Sequence, residues 1–326
     1  MEENKMPAEA LSFKNHLESQ GKSKSTVIAY NSYALDFISY LDADNTEVEN
    51  ATAKEVLSYL NHLQKKGQEN KTRSIRLSVI KQFFNWQIEQ GKRADNPIAH
   101  LKIRGNKRQK LYPLLSKQEL EEIYITYEIP TKQHKKSKCN WFVTYRLAKQ
   151  RNKAILSLMI NQGLTTPEVA RITLNDLKLK EGQLFIKGSR KSNERALVLK
   201  SNQIIELMEY TFQVRPLFLA YQNNKEVENL FLSTPTAGRK KANETLQIWK
   251  GLTKDIKEQQ NKSLTSATRF INFKQVRTSV ITHWLKEENL RQVQYRAGHR
   301  YVSSTEAYLV NQTEDLQADI DEFHPF

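Results

Sequence analysis

The chain has 326 residues, and 51 lysines and arginines against 36 acids leave a formal net charge of +15. That is enough chain for two domains with cores of ordinary size. The single cysteine, Cys139, excludes an internal disulfide and suits a reducing compartment. No apolar run approaches the roughly 18 residues that cross a bilayer, "MEENKMPAEA" does not read as a signal peptide, and the histidines show no paired metal-ligand spacing. No glycine-rich phosphate loop supports ATP as a fuel. These features predict a cytoplasmic protein with no membrane partner, no metal and no cofactor. The positive charge favours a polyanion, most simply nucleic acid, although a lysine-rich soluble protein would show the same balance.

The first hundred residues read as helices. After residues 8–20, "STVIAYNSYALDFISYL" places Val27, Tyr30, Ala34, Phe37 and Leu41 on one helical stripe. "ATAKEVLSYLNHLQKKG" follows with Val56, Leu57, Leu60 and Leu63, stopping at Gly67. "TRSIRLSVIKQFFNWQIEQG" repeats the pattern with Ile75, Val79, Phe83 and Trp86, stopping at Gly91. The expectation is a four-helix domain whose polar faces carry Lys22, Lys24, Lys71, Arg73, Arg76 and Lys81 toward solvent or DNA.

"DNPIAHLKIRGNKRQKLYPLL" follows, with Lys102, Arg104, Lys107, Arg108 and Lys110 between its Pro97 and Pro113. It reads as a basic linker, suited to crossing a phosphate backbone. The predicted division is a helical domain over 1–105, a linker over 106–114 and a second domain over 115–326.

The second domain opens on "LSKQELEEIY", where Ser116 and Glu119 have capping-box spacing. The lysine-rich "TKQHKKSKCNW" reads as a loop. "QRNKAILSLMINQG" is an apolar helix and "TPEVARITLNDL" begins with a short one. "GQLFIKGSRKSNERALVLK" changes period, two β-rich runs around a polar turn, and so predicts a hairpin. Helices resume through "NQIIELMEYTF", "NETLQIWKGLTKDI", "FKQVRTSVITHWLKEE" and "LRQVQYRAG". The fold class is therefore mainly α with a small antiparallel sheet.

Four stretches of this domain occur in a telling order: "NQGLTTPEVARITLNDL", "IKGSRKSNERALVL", "NFKQVRTSVITHWL" and "GHRYVSSTEAYLV". In the last, Tyr308 stands nine residues after His299. The order and spacing resemble the tyrosine recombinases, the phage integrase and Xer-type site-specific DNA strand transferases, over nearly the whole chain. The resemblance implies a SAM-like core-binding domain followed by an α+β catalytic domain, the two closing as a C-shaped clamp on double-stranded DNA recombination sites. It also implies a homotetramer exchanging strands through a Holliday junction, for a mobile element, and leaves room for accessory DNA-bending proteins. No metal and no ATP are implied.

The chemistry can be stated independently. Conserving phosphodiester energy requires a covalent enzyme–phosphate, and a phenol leaves a resealable ester. The phosphorane needs fixed cations at its nonbridging oxygens, and the departing 5′-oxygen needs a proton. Tyr308 is the expected nucleophile. Arg277 offers a guanidinium that stays charged, and His299 is expected to donate to a nonbridging oxygen. Lys187, at the lip of the hairpin, matches the family's general acid, with Lys191 as alternative and Arg190 in the same turn. Lys274 lies three residues before Arg277, on the same helical face. Glu168 matches a family acid that orients basic neighbours.

Thr165 departs from the pattern. The family ordinarily has an arginine after Gly-Leu, the first of two that clamp the phosphate, and "GLTTPE" has threonine. Arg151, Lys153 and Arg171 are the nearby cations that could replace it. The departure leaves a rival reading, a catalytically inactive or accessory DNA-binding protein with the recombinase fold. A type IB topoisomerase shares the chemistry but needs a larger clamp. The tail "TEDLQADIDEF" has apolar Leu316, Ile320 and Phe323 at roughly helical spacing, to pack on a neighbouring protomer or on its own domain.

Overall fold

The computed structural model describes residues 8–105, 112–131, 138–139, 141–190, 192–222, 227–234, 245–262 and 268–309. The chain divides into two compact units, Met1–Lys110 and Leu111–Phe326. Lys107, Arg108, Lys110, Lys191 and the tail 313–323 lie outside the described residues. Among the described residues no helix is long and apolar enough to cross a membrane.

The first unit holds α1 (Ala8–Ser19), α2 (Lys24–Ala43), α3 (Ala53–Lys65) and α4 (Asn70–Glu89). Each boundary has a local cause. Ser23 caps α2 by accepting from the Thr26 N–H, and Thr52 and Glu55 form a capping box on α3. Gly67 and Gly91 stand just beyond α3 and α4 at φ +79° and +70°, where an L side chain is disfavoured. Phe13, Phe37, Phe83 and Phe84 fill the core, with Phe13 edge-on to Phe83 at 5.1 Å.

Two stripe positions differ from the periodicity reading. Leu57 and Ile75 are exposed, at 44% and 43%. In α3 the buried row is Val56, Tyr59, Leu60 and Leu63, which puts Leu57 about 100° off the seam. Tyr59 fits the seam because its hydroxyl finds an acceptor, Asp36 Oδ2, at 2.9 Å.

Arg73 is a further correction. It does not lie on the polar face but extends the buried row of Leu77, Ile80 and Phe84. Its guanidinium donates to Asn70 Oδ1 at 2.5 Å, Gln64 Oε1 at 2.8 Å and the Leu60 carbonyl at 3.4 Å. Arg76 is likewise engaged, paired with Asp36, bonded to the Tyr59 hydroxyl at 2.6 Å and lying 4.7 Å over the Tyr33 ring. Lys81 donates to the Ala99 carbonyl at 2.8 Å. Lys24, Lys71, Lys102 and Arg104 are exposed, and Lys22 is half-buried over the Tyr30 ring.

The second unit runs α5 (Lys117–Ile125), α6 (Phe142–Gln162), α7 (Thr166–Arg171), β1 (Leu177–Lys178), β2 (Gln183–Ile186), β3 (Arg195–Val198), α8 (Ser201–Glu209), a π turn over Tyr210–Val214, and α9 (Arg215–Gln222). It continues with α10 (Thr245–Lys262), α11 (Phe273–Glu287), α12 (Leu290–Ala297) and α13 (Ser303–Glu306). Helix α6 is central; Ile155, Leu156, Leu158 and Met159 are fully buried. The sheet is antiparallel in the order β1-β2-β3, with Leu184 opposite Leu197 and Ile186 opposite Arg195. Strand alternation turns Leu184, Ile186, Arg195 and Leu197 inward.

Replacing Arg73 by alanine should lower the first unit's stability by about 2 kcal/mol, the scale of buried bonds from a charged donor. Lys71→Ala should be near neutral. Denaturant melts of both variants, with DNA affinity measured on folded protein, check this; Arg73→Ala should leave affinity unchanged while Lys71→Ala lowers it.

Candidate active site

The site begins where α6 stops. Gly163 ends that helix in the left-handed region, and a Cβ there would press on Trp284 at 3.1 Å and Val280 at 3.3 Å, both on α11. This close approach brings α11 against the Gly163–Thr166 turn. One helical turn before Val280, Arg277 points into it, and its Nη1 donates to the Gly163 carbonyl at 2.5 Å.

Thr165 caps α7. Its hydroxyl accepts from the Glu168 N–H at 3.4 Å and donates to Glu168 Oε2 at 2.8 Å, while its own N–H donates to the same oxygen at 2.9 Å. The box fixes a carboxylate that is 4% exposed. Arg195 Nη1 donates to Glu168 Oε1 at 2.8 Å, and Arg277 Nη1 lies 3.7 Å from Oε2. Burial would raise the Glu168 pKa, but the hydrogen bond and charge of Arg195, the charge of Arg277 and the Thr165 amide outweigh it and hold it below the ordinary value. Glu168 is a carboxylate between two guanidiniums.

Arg277 reaches onward. Its Nη2 donates to the Ala297 carbonyl at 2.7 Å and to His299 Nε2 at 3.1 Å. A guanidinium has no lone pair to accept with, so Nε2 is the acceptor and the proton sits on Nδ1. Nδ1 in turn lies 2.9 Å from the hydroxyl of the fully buried Thr305. Desolvation first, then the charges of Arg277 and Arg195, bring the His299 pKa down to about 4. His299 is therefore neutral near pH 7 in the DNA-free chain, and donation from Nε2 would require it to gain a proton.

Tyr308 follows α13, its N–H bonded to the Thr305 carbonyl at 3.0 Å. Its ring stacks on His299 at 5.6 Å and 13°, and its phenol is within hydrogen-bonding reach of Arg277. Burial, more than any other cause, lowers the Arg277 pKa, while Glu168 and Tyr308 oppose that shift. Arg277, His299, Tyr308, Glu168 and Thr165 thus form one contact chain.

The lysines stand apart from it. Lys187 is exposed and held by Asp176 Oδ1 at 3.2 Å and the Thr173 hydroxyl at 3.4 Å. Lys274 is exposed, with its ammonium 5.6 Å over the Tyr112 ring. The hairpin loop is fastened to the site by a bridge between Ser192 and His299, by the Asn193 N–H on the Gly298 carbonyl at 2.9 Å, and by Arg300 on the carbonyl of the exposed Arg190 at 3.2 Å.

None of the three candidates for the missing arginine is brought to this cluster. Arg151 is buried against the Leu232 carbonyl at 2.7 Å and Asn152 at 2.8 Å, and 12 residues of α6 separate it from Gly163, about 18 Å. Lys153, on the same helix, lies 5.2 Å over the Tyr124 ring. Arg171 is exposed at the end of α7, and the cations on Glu168 are Arg195 and Arg277 instead. Arg195 is the residue that sequence reading missed. Its signal was an arginine at an inward position of "RALV", where Leu197 fills the equivalent place.

A family model of the phage integrase family matches residues 131–315, and one of the phage integrase N-terminal SAM-like domain matches residues 11–91. The chain belongs to the phage integrase family. Tyrosine recombinase XerD of Oceanobacillus iheyensis is 27% identical over 312 residues, 94% of each chain. Tyrosine recombinase XerC of Proteus mirabilis is 24% identical over 256 residues, 77% of this chain and 72% of that one. The fold matches that of a lambda integrase tetramer bound to a Holliday junction, with a TM-score of 0.61 and 16% identity over 92% of this chain and 76% of that one. The Tn1549 transposon integrase in complex with a circular intermediate DNA matches with a TM-score of 0.61 and 14% identity, over 94% and 99%.

The depressed His299 pKa has a consequence for stability. Between pH 7 and 5 the unfolded chain binds a proton at His299, near pKa 6.5, that the folded chain refuses until about pH 4. Stability should therefore fall with pH in that window, by about 1–2 kcal/mol from this residue once its partial exposure is allowed for. His299→Gln should remove that part of the slope. Denaturant melts of both proteins at pH 7 and 5 decide it; parallel slopes would refute it.

Proposed function

We propose that the protein is a site-specific DNA recombinase that cleaves and rejoins duplex DNA through a 3′-phosphotyrosine intermediate. The observation that carries this is the contact chain Tyr308–His299–Arg277–Glu168, a phenol beside fixed cations, in a chain of the phage integrase family. Tyr308 Oη bonds to phosphorus, the bond from phosphorus to the 5′-oxygen breaks, and the phenolic proton is lost. Arg277 compensates the negative charge that develops on a nonbridging oxygen. Negative charge arriving there opposes the cations that depress His299, which favours its taking up a proton and donating to the phosphate.

Lys187 protonates the leaving 5′-oxygen. In this structure it pairs with Asp176, so its role requires release from that carboxylate. Lys274 adds positive charge near the DNA. The 5′-hydroxyl of another strand then reverses the chemistry. Lambda integrase binds a Holliday junction as a tetramer, which supports the same assembly here, on DNA sites of a mobile element in the cytoplasm, with accessory DNA-bending proteins as further partners.

Two measurements test this reading. A nicked suicide substrate should yield a protease-sensitive covalent adduct, and Tyr308→Phe should yield none while binding DNA normally. An adduct that survives in Tyr308→Phe removes the assignment; no adduct from the unaltered chain favours an accessory DNA-binding protein. Binding should also weaken steeply with salt, each phosphate contact contributing about −0.9 to the slope of log K against log salt. Replacing Lys102, Arg104, Lys107 and Arg108 together should flatten that line, and an unchanged slope would reduce the segment to a tether.

A further inference from the structure

We propose that Arg195, on β3, is the second guanidinium that holds the scissile phosphate, and that it supplies the charge a cation at position 165 would otherwise supply; this rests on the strand-cleavage reading above. Three independent observations meet on it. The first is charge. Arg195 and Arg277 bracket the single carboxylate of Glu168, and His299 beside them is neutral. One positive charge is left without a counter-ion in a largely buried site, which is costly unless an anion joins it.

The second is unused hydrogen-bonding capacity. The Arg195 side chain is 0% exposed. Nη1 is bonded to Glu168, but Nε and Nη2, with three N–H groups between them, have no hydrogen-bond partner among the described residues. Orphaned buried donors on a cation are rare in a finished core. Two donors on one edge of a guanidinium match two oxygens of a phosphate.

The third is placement. A Cβ on Gly298 would overlap the Arg195 guanidinium, so that guanidinium lies directly beneath the residue before His299. Glycine at 298, at φ +68°, leaves the space it occupies. Thr165 cannot serve instead, because its hydroxyl is already engaged on Glu168 as both donor and acceptor. The Asn193 N–H on the Gly298 carbonyl fastens the hairpin over the same turn. Seating a phosphate therefore shifts that turn or the hairpin.

The test uses suicide-substrate cleavage by the full chain, with DNA binding and thermal melts as controls. Arg195→Ala should lose on the order of 10²–10³ in adduct formation, the usual loss for one fixed transition-state donor, while Tyr308-dependent cleavage by the unaltered chain shows that the underlying reading holds. A substrate carrying a methylphosphonate at the scissile position lacks one negative charge, and on it the deficit of Arg195→Ala should shrink at least tenfold. A residue that only props up Glu168 would show the same deficit on both substrates, and that result would overturn the proposal, as would full activity of Arg195→Ala. Should the alanine variant fail to fold, Arg195→Lys carries the test: keeping the charge but losing the fork, it should cleave at least tenfold more slowly, and unimpaired cleavage would overturn the proposal. An unaltered chain that forms no adduct at all would instead bring down the strand-cleavage reading.

Discussion

The buried carboxylate of Glu168 is the constraint on which the site depends. Moving a carboxylate out of water costs several kcal/mol unless partners replace its hydration, and here every partner comes from a different part of the fold. Thr165 supplies an amide and a hydroxyl from the α7 cap, Arg195 a guanidinium from β3, and Arg277 another from α11. Removing any one would leave a charge partly uncompensated in a low-dielectric interior. The ion cluster therefore fastens helix, sheet and helix at one point, and fixes where the two guanidiniums stand.

From that point the order propagates outward through acceptors. Arg277 holds the Gly163 and Ala297 carbonyls, the last groups of α6 and α12, which their helices leave without partners. It also fixes the His299 tautomer, and His299 orders the Thr305 hydroxyl and carries the Tyr308 ring on its face. Glycines make this possible at two turns. Gly163 lets Trp284 approach, and Gly298 leaves room for Arg195. Both also adopt the left-handed conformation that ends their helices.

Much of this was legible in the sequence because it is local. The capping box at Ser116 sits at fixed spacing from Glu119, the hairpin declared itself by a change of period, and His299 and Tyr308 are only nine residues apart. What escaped was set by tertiary partners. Arg73 reads as a surface cation until Gln64 and Asn70 are seen to receive it. Leu57 and Tyr59 compete for one seam, and a distant aspartate decides for tyrosine. The strand β1 is two residues long and has no periodicity to detect. Arg195 lies 27 residues from Glu168, so no spacing rule connects them. Helical proximity in sequence made Arg151 and Lys153 attractive, but on α6 they face other carbonyls and rings, about 15–18 Å along the axis from the turn that matters.

The candidate-site cations Arg195, Arg277, Lys187 and Lys274 fall into two environments, and the division follows their chemistry. Arg195 and Arg277 are buried, and a guanidinium can be buried without losing its proton, since its pKa lies far above neutrality. Held in place before any substrate arrives, such groups need no reorganisation when negative charge develops, which is the condition under which electrostatic stabilisation is strongest. Lys187 and Lys274 are exposed. A lysine buried beside two guanidiniums would be driven toward its neutral form by desolvation and like charge, and would lose the proton that a leaving oxygen requires. Lys187 instead stands exposed on the hairpin lip, held by the buried Asp176 and the Thr173 hydroxyl, which suits the donor role proposed for it above. Fixed charge inside and, on the proposed reading, a proton donor outside are thus two answers to the same desolvation penalty.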